Sequence, residues 1–208
     1  MELITGQAAN DTFVIRTAGN TLTGDGESSG SLRYILSNYG AGSSGAHPTV
    51  SAVFVVGHSK CGAVKAAYDA YKPGGGGTAG MHESLAKVLR EIKFAVDFVL
   101  SDGSLTNEEE IKDAISHVNA VFTAVRARQI AAELNVDRDV TIYYASYHVT
   151  DFRLRKTNFP NAKVQEFIEV LANKSAADFF SWDPELGMKD KDAKQAILQD
   201  AIGFARKH

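Results

Sequence analysis

The chain has 208 residues, 44% of them hydrophobic and 23% charged, with 22 basic against 25 acidic side chains and a single cysteine. That apolar content excludes intrinsic disorder, and one cysteine excludes a disulfide scaffold within the chain. A formal charge of -3 shows no basic excess of the kind that nucleic-acid binding uses. No apolar run reaches the roughly 18 residues of a membrane span. The first residues, MELITGQAAND, show neither the basic nor the apolar region of a signal peptide. The expectation is therefore a soluble, cytoplasmic α/β or α+β protein with no membrane or nucleic-acid partner.

In chain order, residues 12–16 (TFVIR) are β-branched and aromatic and end at Gly19 and Asn20, which predicts a buried strand entering a turn. A polar Gly/Ser loop is expected over 21–30. A helix follows from Ser31, with Leu32, Ile35 and Leu36 on one face and Gly40 as its C-cap. After a second loop, residues 50–56 (VSAVFVV) read as a central parallel strand covered on both sides. Gly57 ends it, and the turn His58-Ser59-Lys60-Cys61-Gly62 leads into a helix over 63–71.

Pro73 and Gly74 to Gly77 form a loop; with no Gly-Lys-Ser/Thr ending and no preceding strand, it is not a phosphate-binding loop. Leu85, Val88, Leu89, Ile92, Val96 and Val99 recur at helical spacing. The run Thr106-Asn107-Glu108-Glu109-Glu110 predicts a capped helix start, with acidic residues at the positive end of the helix dipole. That helix reaches about Leu134 and presents Ile111, Ile115, Val118, Phe122, Val125 and Ile130. Residues 139–149 are the third strand. Beyond Pro160, amphipathic segments over 162–173 and 190–205 flank a cluster of Phe179, Phe180 and Trp182, read as a docking face for the C-terminal helices. The pattern gives a single domain, 1–208, with an α/β core over 1–159, a mainly parallel sheet flanked by helices, and a helical extension over 160–208.

A strand ending in a His-x-x-Cys turn places an imidazole and a thiol at the carboxyl end of a sheet, where open α/β folds put their sites. Both donors suit zinc, and a helix starting near Gly62 favours the thiolate. The same residues also fit a small buried hydrophobe, Cys61, beside a hydrogen-bonded turn histidine, His58.

Three motifs in order narrow this. FVIRTAGN (13–20), SLRY (31–34) and VVGHSKCGAV (55–64) together resemble the β-class carbonic anhydrases. The helix around Asn119 is similar to the family's long helix, and residues 141–149 to its last parallel strand, with Tyr147-His148 where the family has a Tyr-Asp-like pair. The resemblance covers about 11–154. It implies that His58 and Cys61 are two of three protein ligands to zinc. The implied reaction is the reversible hydration of CO2 to bicarbonate, with assembly as a homodimer or larger homo-oligomer.

The family's first motif, Cys-x-Asp-x-Arg, is not in this sequence. It supplies the other thiolate and an Asp-Arg dyad on a strand that is central in the family's sheet, so the catalytic dyad has no counterpart to name here. Residues 1–6 look like the segment that normally follows it. The expectation is an N-terminally incomplete copy of an ordinary enzyme, lacking the first central strand and binding zinc poorly through two ligands alone. A non-catalytic binding or scaffold subunit is the alternative, as is a carbon disulfide or carbonyl sulfide hydrolase of the same fold. Of the other candidates, His148 could be a third ligand or a proton shuttle, but a partnered residue at a sheet end is the more ordinary role. His47, His82 and His117 are expected to be solvated. Asp25 and Glu27 read as a solvated loop that could hold a cation, and Gln7 is not assigned a role.

Overall fold

The computed structural model describes residues 12–22, 26–40, 49–136, 140–151, 153–155 and 191–206. Five helices and three strands lie in these segments, with a short 3-10 turn at Ala18–Asn20 ahead of them. The first helix, α1, is Glu27–Tyr39. Strand β1 (Ala52–His58) leads into α2 (Gly62–Tyr71), then α3 (Glu83–Leu100) and the 26-residue α4 (Glu108–Glu133). Strands β2 (Thr141–His148) and β3 (Arg153–Arg155) follow, and α5 is Lys191–Ala205.

The sheet order is β1-β2-β3. β1 and β2 run parallel from Ala52 opposite Thr141 to His58 opposite Tyr147, and β3 returns antiparallel along the end of β2. The parallel pairing between distant strands fits the βαβ reading, because the helices between them supply the crossover.

The long helix α4 organises the core. It touches each of the other four described helices, both long strands and the 3-10 turn. Asn107 caps its start by accepting hydrogen bonds from the backbone N–H groups of Glu109 (2.9 Å) and Glu110 (3.2 Å). All six apolar positions predicted for its core face are buried, but so are His117, Asn119, Thr123 and Gln129. A helix covered on every side buries its polar residues too, and these find partners in neighbouring elements. Asn119 donates to the Gly19 carbonyl at 2.6 Å and Thr123 to the Asn20 carbonyl at 2.7 Å, which pins the 3-10 turn to α4. Gly19 itself has φ +65, and a Cβ there would lie 2.4 Å from the Ile92 side chain.

Three expectations need correction. Residues 12–17 form no strand: Phe13, Val14 and Ile15 are exposed, and the Phe13 ring meets that of Tyr39, with centroids 4.9 Å apart. No described strand pairs with them, so their β-prone sequence has no ladder to join. β1 likewise is not covered on both sides by described residues; Phe54 is 62% exposed and stacks on Tyr143. α4 covers the opposite face, while the far edge of β1 has no strand beside it among the described residues. His117 is not solvated but fully buried, because it lies on the face of α4 that meets β2 and α5.

Smaller differences concern element ends. α1 begins at Glu27, so Ser28, Ser29 and Gly30, poor helix formers read as loop, are helical. Gly40 does cap α1, but in extended rather than left-handed backbone; a Cβ would lie 2.4 Å from the Leu36 carbonyl oxygen. The segment 162–173 and the Phe179, Phe180, Trp182 cluster lie outside the described residues, as do Gln7, Asp25 and His47.

Candidate functional site

The end of β1 and the start of α2 form the site. Gly57 is the reason they sit so close to α4: a Cβ on it would stand 2.9 Å from the Ser116 carbonyl oxygen and 3.2 Å from the Ala120 side chain. With glycine there, α4 approaches until the Ser116 hydroxyl donates to the His58 carbonyl at 2.5 Å. One helical turn earlier, the Asp113 carboxylate accepts the Lys60 N–H at 2.9 Å. β2 grips the same turn from the other side. The Ser59 N–H donates to the Tyr147 carbonyl at 2.9 Å, and the Ser59 hydroxyl accepts the Val149 N–H at 3.0 Å. Lys60 is held at φ +55, a conformation that non-glycine residues seldom adopt.

This turn brings His58 and Cys61 together. His58 reaches the surface and its Nδ1 donates to the Ser59 carbonyl at 2.9 Å, whereas Cys61 is buried at the head of α2. The neighbouring Cys61 sulfur is the main reason the His58 imidazolium is held up to about 9, against the cost of burial and with help from the Ser59 carbonyl and the charges of Cys61 and Asp113. For Cys61, burial pushes the thiol up, but the neighbouring His58 ring, the N–H groups of Val64 and Ala63 and the His58 charge together bring it below its ordinary value. An imidazole beside a thiolate-prone sulfur is a donor pair of the kind zinc takes.

His148 does not complete it. It ends β2 almost wholly buried, with Nδ1 2.7 Å from the Thr150 hydroxyl and Nε2 3.9 Å from the Asp113 carboxylate. Among the described residues no group of three His, Cys, Asp or Glu side chains could hold a metal ion. The donor chemistry suits zinc and the donor count does not, because two ligands leave a tetrahedral site half built. Of the remaining histidines described, His82 caps α3, accepting the Ser84 N–H at 3.3 Å, far in role from any ligand. Glu27 opens α1. Sequence reasoning missed Asp113 and Ser116. Their spacing of three places both on one face of a helix, but nothing local to them says that this face meets the His58 turn.

A family model described as carbonic anhydrase matches residues 1–154. The chain belongs to the carbonic anhydrase family. No curated protein matches the chain in sequence. The match spans all the described elements except α5, and ends within β3. Helices packed on a parallel β1-β2 pair are consistent with the α/β fold of β-class carbonic anhydrases. These enzymes are in general zinc-dependent lyases acting on CO2 and bicarbonate, and in general they assemble as oligomers. No described helix is long and apolar enough to cross a membrane.

Proposed function

We propose that His58 and Cys61 are two zinc donors of a carbonate dehydratase site, for the reversible hydration of CO2 to bicarbonate, whose other thiolate donor this sequence lacks. The observation that carries this reading is the His58–Cys61 pair itself, side by side on a turn held by α4 and β2 in a chain of the carbonic anhydrase family. No catalytic step is assigned to the chain, because its described residues hold no group of three His, Cys, Asp or Glu side chains that could bind a metal ion. By itself the chain should bind zinc weakly and hydrate CO2 no faster than buffer. Stopped-flow hydration with added zinc tests this: clear activity that Cys61→Ala abolishes would overturn the view that these donors are insufficient. The donor count among the described residues also fits the alternative reading, a non-catalytic carbonic-anhydrase-like subunit that binds or scaffolds. A donor-bearing segment that restores activity when joined to the chain would argue against it. We further propose a cytoplasmic homodimer or larger homo-oligomer, with the single domain spanning 1–208.

A further inference from the structure

We infer that Asp113 is a positioning residue for the His58–Cys61 pair, fixing their relative placement by holding Lys60 in its left-handed conformation. Three observations converge on it. Lys60 sits at φ +55 with a side chain, a backbone state that costs free energy unless the surroundings enforce it. The Asp113 carboxylate accepts the Lys60 N–H at 2.9 Å while only 8% exposed, so this charge-assisted bond is poorly screened. Ser116, one turn along the same helix, accepts no slack at the other end of the turn, since its hydroxyl holds the His58 carbonyl at 2.5 Å.

Between these two anchors the chain must pass from extended backbone at His58 to the head of α2 at Cys61, and the left-handed Lys60 is what makes that reversal short. If Lys60 relaxed to an ordinary conformation, the Cys61 sulfur would leave the imidazole. On the strand side of Asp113, buried His148 stands with Nε2 3.9 Å from the second carboxylate oxygen. A carboxylate on α4 thus sets the geometry of two side chains it does not bear.

The inference rests on reading His58 and Cys61 as the working pair, but its test needs no metal, so a chain that fails to bind zinc strikes the proposed function and leaves this test standing. The measurements are NMR on the full 208-residue chain: amide exchange at Lys60, the coupling constant that reports its φ, and the imidazole nitrogen shifts of His58. In Asp113→Ala, Lys60 exchange should quicken by about tenfold or more, and His58 should take the shifts of a ring without a sulfur partner. Asp113→Asn, which keeps an oxygen acceptor, should retain the wild-type His58 signature. Glycine adopts the left-handed state freely, so Lys60→Gly should restore that signature in the Asp113→Ala background, even if Asp113→Ala alone does not fold. A role confined to stabilising α4 predicts the opposite: a lower melting temperature with the His58 signature unmoved, and no rescue by glycine. Either of those results would overturn the inference.

Discussion

The His117 ring lies between Phe204 and Tyr144, with Nδ1 2.7 Å from the Ser146 hydroxyl and no described hydrogen-bond partner at Nε2. Burial alone holds its imidazole down at about 4 from an ordinary 6.5. Above pH 6.5 the residue is neutral whether folded or unfolded and has no effect on the balance. Below it, the unfolded chain takes a proton that the folded chain refuses, so stability falls as pH drops from 6.5 toward 4. The loss attributable to this group is on the order of 3 kcal/mol. Urea unfolding at pH 7 and pH 4.5 should show a smaller difference in His117→Phe than in the parent chain; an unchanged difference would contradict the burial argument. The site pair gives a second prediction at this scale. His58 lowers the Cys61 thiol, so His58→Ala should move the pH profile of iodoacetamide alkylation upward and slow the reaction at pH 7. The single cysteine makes that rate specific to the site.

At the scale of elements, the approach of α4 to the end of β1 depends on Gly57. A methyl group there meets backbone oxygen, which has no rotamer by which to yield, so Gly57→Ala should cost about 1–3 kcal/mol in denaturant unfolding and weaken both anchors of the His58 turn. A cost near zero would mean that α4 shifts freely. Asn107→Ala, which removes the acceptor for two N–H groups at the start of the same helix, should cost about 1 kcal/mol. These elements also show what the sequence could reveal. The periodic apolar positions of α4 and the continuous apolar run of β1 mark both elements, and Gly57 to Cys61 mark the site between them. Three further features were illegible because they depend on distant chain. His117 looks like a solvated helical residue until β2 and α5 close over it. Residues 28–30 look like loop until Ser29 is buried against the rest. The β-prone run at 12–16 reads as a strand, yet whether it is one depends on a neighbour strand.

For the whole molecule, the described residues build one side of a sheet more fully than the other. α4 and α5 bury the Ile142, Tyr144 and His148 side of β2, while Phe54, Phe13, Val14, Ile15 and Tyr34 remain open to solvent. With the family's habit of assembly, this supports a homodimer or larger, and light scattering should return at least twice the chain mass of 22.4 kDa. A monomer at micromolar concentration would contradict that assignment. The site stands in the same relation to the fold: its turn is anchored at both ends, and the described residues offer two of the three proposed zinc donors. The most direct measurement is therefore zinc affinity of the 208-residue chain, by competition with a chelator of known strength, beside His58→Ala and Cys61→Ala. Weak binding by the parent chain, lost in both variants, is the predicted result. Tight stoichiometric zinc that survives either substitution would contradict the assignment of His58 and Cys61 as the donor pair.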